Sequence, residues 1–331
     1  MNEKVEKWAL RRSIVLLALK IQAGTAMHTA ERLAEVSAHH GPILATVDGH
    51  DVIECEPCGF RHIDPLFDDE QLKQFYDAEF YQKERPNYFR HAEEDKEWWM
   101  LRYHHYYETL ETHAPGRRLL DIGSGPGYFL EAGRERGWDV LGFEASPVAA
   151  DYTKARGIPV INDFFSAGKV KDLGQFDVVS VALVLEHLRD PVTLIKEAIS
   201  VLAPGGLLLV ISPNDFNPLQ MVLWKTLGFK PWWVAPRHHL NYFDGKSARR
   251  LFTAHGLDVL HQETSYPMET FLLAGRDYVG NAALGRECHK ERKAFETTLF
   301  RHDKALIRSL ARSWSEQEIG REFIILGRKP G

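Results

Sequence analysis

Leu119-Leu120-Asp121-Ile122-Gly123-Ser124-Gly125-Pro126-Gly127-Tyr128 is the stretch on which the fold turns, a short apolar run that breaks into three glycines and then resumes as a helix-like segment. An apolar run of this length bounded by glycines reads as a buried strand. Glycines after such a strand let the backbone turn sharply and let a ligand lie against it with no Cβ in the way. A dinucleotide fingerprint sets glycines at the first, third and sixth loop positions, to bring a pyrophosphate onto a helix N-terminus. Here they occupy the first, third and fifth positions, and Tyr128 fills the sixth.

Outward from this loop, strand-like and helix-like segments alternate. Leu119 to Ile122, Val140 to Phe143, Phe176 to Leu183 and Leu207 to Ile211 read as strands, and Leu130 to Arg136, Pro147 to Arg156 and Pro191 to Leu202 as the helices between them. That rhythm specifies an α/β fold with a parallel sheet covered on both faces. A helix at Gly245 to His255, a strand at Leu257 to Gln262 and a closing strand at Arg321 to Gly327 follow, with some fifty mostly helical residues between the last two strands.

The acids around the loop narrow the ligand. Asp121 opposes a pyrophosphate but suits a ligand that carries an ammonium and a sulfonium. Glu144 ends the next strand, 21 residues after Gly123, where a carboxylate can accept both hydroxyls of a ribose. Two such acids and three glycines describe a pocket for S-adenosyl-L-methionine. From about Arg117 to Lys329 the chain resembles the class I S-adenosylmethionine-dependent methyltransferases. Ile161-Asn162-Asp163-Phe164-Phe165, Phe176-Asp177-Val178-Val179, Val184 to Pro191, Leu202-Ala203-Pro204-Gly205-Gly206-Leu207 and Arg237 to Phe243 match that family in order. The resemblance implies a Rossmann-like seven-stranded sheet with helices on both faces. It also implies cofactor contacts from Asp121, Gly123, Ser124, Gly125, Gly127 and Glu144, from Asp163 and Phe164 at the adenine, and from Leu183 at the end of the fourth strand.

Methyl transfer from a sulfonium needs alignment more than a catalytic group. For a hydroxyl acceptor a general base helps, and His187 beside Glu186 stands where open α/β sheets bind ligands. This pair resembles the one in ubiquinone-biosynthesis O-methyltransferases, some of which hold a divalent metal through it and a second Glu one helical turn earlier. Leu183 takes that earlier position, so no metal is expected at this site. His238 and His239 are the alternative bases, in a stretch from Pro213 to Asp244 that is rich in Trp and Phe. Such a stretch is either a wall for an apolar acceptor, a small core of its own, or a dimer contact.

Residues 1 to 115 read as an N-terminal accessory region, and 116 to 331 as the methyltransferase domain, with insertions at about 213–245 and 266–320. The front is expected to be helical over residues 1 to 40, Asp68 to Tyr81 and Glu93 to Thr112. Between them Ile43 to Val47 and Asp51 to Glu54 form a hairpin around Asp48-Gly49. Cys55-Glu56-Pro57-Cys58-Gly59-Phe60 has the spacing of half a zinc ribbon and resembles the front part of certain sugar and cell-envelope methyltransferases, which usually carry two such knuckles. A structural zinc needs four ligands. With only His39, His40, His50 and His62 nearby, a ribbon without metal is the expectation and a Cys₂His₂ site the alternative.

Composition bounds the rest. The chain has 331 residues, 44% of them hydrophobic, and 41 Lys+Arg against 46 Asp+Glu mixed along its length. This excludes disordered and coiled-coil classes and argues against a nucleic-acid partner. Three cysteines suit a reducing cytoplasm, and no run is long enough to span a bilayer. Arg11-Arg12 before Ser13 to Leu19 raises a twin-arginine export signal, but Lys20 and Gln22 interrupt the run and favour an amphipathic helix. A homodimer through the arginine-bearing stretch Gly280 to Ser315 is a further expectation. The sequence therefore commits to a methyltransferase of a small-molecule hydroxyl. N- or C-methylation, a methyltransferase-like scaffold and, last, a nicotinamide-dependent oxidoreductase are the alternatives.

Overall fold

The computed structural model describes residues 39–67 and 88–331. The helices expected before residue 39 and over Asp68 to Tyr81 lie outside the described residues. By internal contacts the described residues form two units, one comprising His39 and residues 65–67, 88–208 and 329–331, the other residues 40–64 and 209–328.

In the first unit, helices α1 (Tyr88–Glu94) and α2 (Lys96–Glu111) precede β4 (Arg118–Ile122), so both sides of residue 115 belong to it. There follow α3 (Tyr128–Glu135), β5 (Asp139–Phe143), α4 (Pro147–Lys154), β6 (Val160–Ile161), β7 (Phe176–Ala182), α5 (Pro191–Ser200) and the start of β8 (Leu202–Pro213). Leu119, Leu120, Val178, Val179 and Val181 are fully buried, as expected of strands covered on both faces. The helices start where the sequence supplies caps. The Ser146 hydroxyl accepts from the Ala149 N–H ahead of Pro147, and the Asp190 carboxylate accepts from the Thr193 N–H ahead of Pro191. Helix α2 packs on the core through aromatic contacts, Tyr107 stacking on Phe129 at 4.8 Å between ring centres and meeting Trp138 edge-on at 5.3 Å. Beside them Glu111 accepts from Arg136 at 2.6 Å and from the Trp138 indole at 3.2 Å.

The second unit begins with β1 (Ile43–Val47), β2 (His50–Cys55) and β3 (Phe60–Asp64). Asp48 and Gly49 both have positive φ, 51° and 78°, the two-residue turn expected of Asp-Gly in a hairpin. Later come α6 (Pro218–Lys225), β9 (Asn241–Tyr242), α7 (Gly245–Ala254), β10 (Asp258–Thr264), α8 (Glu269–Leu273), α9 (Ala282–His302), α10 (Lys304–Glu316) and β11 (Glu322–Arg328). Arg292 of α9 is buried, 3.4 Å from Glu296 and 3.7 Å from Glu322, so part of the arginine-bearing stretch faces its own unit.

Two sheets result. One has four strands in the order β1-β2-β3-β9, and the other seven in the order β10-β11-β8-β7-β4-β5-β6. In the seven-stranded sheet β6-β5-β4-β7 run parallel, and β10 lies antiparallel to β11, so the expected Rossmann-like seven-stranded sheet is mixed where the βαβ rhythm alone indicated parallel strands. Winding runs from β4 through β5 to β6 on one side and through β7 to β8 on the other. The reversal between β4 and β7 opens a crevice at their carboxyl ends, where such sheets bind ligands.

Candidate functional site

Every loop glycine of the quoted stretch is in the left-handed region, with φ of 75° at Gly123, 52° at Gly125 and 72° at Gly127. An L side chain at any of them would be strained. At Gly123 a Cβ would also sit 2.5 Å from Val184 Cγ2.

The loop spends its amide hydrogens inside the protein. Gly123 and Ser124 both donate to the Phe143 carbonyl, at 2.8 and 3.1 Å, and Gly127 donates to the Ser124 carbonyl at 2.9 Å. Gly125 donates to Glu144 Oε2 at 2.8 Å, and residue 126 is proline. A pyrophosphate needs several amides turned toward it. Residues 123–127 instead offer a close backbone surface bordered by two acids, which repels a pyrophosphate and receives a cation.

Both acids are buried. Asp121 Oδ1 accepts from Ser180 Oγ of β7 at 2.5 Å. Burial pushes its carboxyl up to about 7; the Ser180 hydrogen bond works against that shift and the charge of Glu144 adds to it. Burial likewise raises Glu144, opposed by the N–H groups it accepts from. Those include Ser146 at 2.7 Å on Oε1 and Gly125 on Oε2, which leaves lone pairs on both oxygens for hydroxyl donors. The Ser124 hydroxyl of the loop is buried with no hydrogen-bond partner among the described residues. A buried hydroxyl that no described group satisfies fits a ligand seated on the loop.

At the end of β6, Phe164 is buried. Asp163 is occupied by the protein, Oδ2 pairing with Lys169 Nζ at 2.7 Å and Oδ1 accepting from the Phe164 N–H at 2.7 Å. At the end of β7, Leu183 has φ 56° and is 40% exposed, a strained and exposed apolar residue of the kind found at ligand sites. Val184 follows, then a 3₁₀ turn at Leu185–His187. Glu186 is buried, and its Oε1 lies 3.8 Å from Nε2 of the half-exposed His187, too long for a hydrogen bond.

The structure thus brings Asp121, the glycine loop, Glu144 and Ser180 together at the carboxyl ends of β4, β5 and β7. The turn with Glu186 and His187 closes the same end of β7. Ser180 escapes a sequence reading because an alternating strand hides which residue faces its neighbour; the β4–β7 register pairs Asp121 with Ser180. His238 and His239 belong to the second unit, where both donate backbone N–H to the Ala235 carbonyl. The aromatic stretch around them forms an edge-to-face cluster of Phe216, Trp224, Trp233 and Tyr242.

Several known proteins are similar to this chain. Curated relatives include a ubiquinone biosynthesis O-methyltransferase of Psychrobacter arcticus, 34% identical over 124 residues, which are 34% of this chain and 46% of that protein. Another, of the same description, comes from Acinetobacter baumannii and is 34% identical over 98 residues, 28% of this chain and 41% of the relative. The chain therefore spans less than half the length of these relatives. Among solved structures, a SAM dependent methyltransferase from Archaeoglobus fulgidus is 18% identical with a TM-score of 0.48, covering 73% of this chain and all of that one. A family model described as a methyltransferase domain matches residues 88–262, from the start of α1 into β10 and more than half of the chain, and the chain belongs to that family.

Proposed function

We propose that this protein is an S-adenosyl-L-methionine-dependent methyltransferase that methylates a hydroxyl oxygen of a small molecule by in-line displacement. The observation that carries it is the pair of buried carboxylates, Asp121 and Glu144, set on either side of three left-handed glycines whose amides are already satisfied. When bound, S-adenosylmethionine supplies an electrophilic methyl group on a sulfonium.

The chain's own residues hold and orient. Asp121 neutralises the ligand's ammonium, and Glu144 accepts from its ribose hydroxyls. Phe164 gives an apolar surface for the adenine. Leu183 and Val184 shape the crevice where methyl and acceptor align. His187 takes the acceptor's proton as the new bond forms, with the Glu186 carboxylate stabilising the resulting imidazolium. His238 and His239 are the other candidate bases. The partial match to ubiquinone O-methyltransferases supports oxygen as the methylated atom.

Calorimetric titration with S-adenosylhomocysteine tests the reading, alongside an Asp121→Ala variant and an NADH control. Micromolar binding that the variant loses supports it, after which acceptors are screened by methyl incorporation. No binding by the wild type, or preference for NADH, overturns it.

A further inference from the structure

We propose that the front hairpin is a metal site, a structural zinc ion held by His39, Cys55, Cys58 and His62. The ligand atoms of these four residues all lie within 4.8 Å of one another. Tetrahedral zinc, with bonds of about 2.0 Å to nitrogen and 2.3 Å to sulfur, sets its ligand atoms roughly 3–4 Å apart. Small rotamer changes of Cys58 and His39, neither fully buried, close that difference.

The strand register explains the convergence. Cys55 pairs with Phe60 and Ile53 with His62, so Cys55 and His62 share one face of the β2–β3 ribbon as diagonal neighbours. The turn between the strands, tightened by the Gly59 N–H on the Cys55 carbonyl at 2.9 Å with Gly59 at φ 73°, brings Cys58 back beside Cys55. The Glu56 N–H donates to the His40 carbonyl at 3.0 Å, and this clamp holds the next residue, His39, near the turn.

The chemistry of the set favours zinc. Two thiolates and two neutral imidazoles cancel the ion's charge, which suits a site where Cys55 and His62 are each only 1% exposed. Binding releases two thiol protons to solvent. His62 Nδ1 lies 2.7 Å from the Ile63 carbonyl, which can only accept, so the ring proton sits on Nδ1 and Nε2 presents its lone pair. That backbone anchor is the usual arrangement behind a zinc-ligating histidine. A tetrahedral S₂N₂ set selects zinc over harder divalent ions. The cysteines are not joined to each other.

The site has a structural consequence for the four-stranded sheet. His62 also pairs with Asn241 across β3–β9, and the Ile63 N–H donates to the Leu240 carbonyl at 2.9 Å. The ion would fix the strand that holds the segment carrying His238, His239 and the aromatic cluster.

The test is the metal content of the full-length protein and is independent of the methyl-transfer reading. Purified under reducing conditions from zinc-supplemented medium and dialysed, the wild type should carry one zinc per chain. Cobalt replacement should give the ligand-field and thiolate charge-transfer bands of a tetrahedral site. His39→Ala, Cys58→Ser and His62→Gln should each lose the stoichiometric metal and those bands. Amide hydrogen exchange of Leu240 to Tyr242 should accelerate after chelation of the wild type. Because Cys58→Ser can fail to fold, thermal melts of each variant accompany the measurement, and the chelated wild type gives the same comparison without mutation. Wild type that takes up no stoichiometric zinc or cobalt after reduction overturns the proposal. So does retention of the tetrahedral spectrum by both histidine variants.

Discussion

The glycine-loop half of the molecule and the hairpin-and-aromatic half solve the same problem, fixing reactive side chains, by different means. In the first, the candidate site residues Asp121 to His187 fall within one run of chain and sit at the ends of adjacent parallel strands. In the second, β3 finds its partner β9 some 180 residues later, and Arg61 of β3 pairs with Asp244 at 2.7 Å while lying over the Phe216 ring at 5.3 Å. Local motifs suffice where each strand end is followed at once by its loop. A surface assembled from distant segments depends on a few cross-chain anchors, and damage to one anchor reaches all that it holds.

The largest expected effect lies in the first half. Asp121→Ala should weaken S-adenosylhomocysteine binding by about two to three orders of magnitude, the usual cost of removing one partner of a buried charge pair, read by calorimetry. Asp121→Asn should lose binding to a similar extent without lowering the melting temperature at pH 8. Burial holds the folded-state carboxyl near 7, above its unfolded value of 3.8. The charge therefore costs the ligand-free protein stability progressively between those two pH values and fully above them. A variant that melts well below wild type at pH 8 would mean that Asp121 is a structural residue, and would blur the contrast between the halves.

The same titration predicts the pH dependence of binding. Below pH 7 the ligand must displace a proton from Asp121, so affinity should fall by up to about tenfold per pH unit toward pH 5 and level off above pH 7. A flat profile from pH 5 to 8 in calorimetry would remove Asp121 from the ammonium site.

Smaller effects separate the halves by where they are felt. Gly123→Ala should cost about 1–3 kcal/mol in chemical denaturation, since the backbone is left-handed there and Val184 blocks the Cβ. It should also weaken ligand binding. Arg61→Ala should cost roughly 1–3 kcal/mol by leaving the partly buried Asp244 without its cation, and should leave S-adenosylhomocysteine affinity unchanged. Burial pushes the Asp244 carboxyl up, but Arg61 and Ser247 outweigh it and hold it below the usual range. The stability from this pair is therefore present above pH 4 and lost on acidification, so the penalty of the variant should shrink as pH falls below that point.

Much of the first half can be read from the amino-acid order. The glycines after Ile122 and the Ser-Pro and Asp-Pro pairs at residues 146–147 and 190–191 act through their own backbones, so their turns and caps follow from local chemistry. Phe60 to Asp64 does not announce a strand, because its strand character comes from pairing with β2 and β9. The role of Ser180 is hidden for the same reason, since only the β4–β7 register sets it against Asp121. The family resemblance sets Asp163 at the adenine, and only the fold shows that Lys169 pairs with it.

The sequence by itself determined the βαβ core, the position of the glycine loop and the two acids that flank it. Each depends on residues close in the chain, where backbone conformation and hydrophobic period leave few alternatives. Tertiary structure alone decided which strand faces Asp121, that β3 pairs with β9, and that two histidines converge on the cysteines of a half knuckle. These are registers and contacts between segments far apart in sequence. They are selected by the burial of whole faces, which no short stretch of residues specifies.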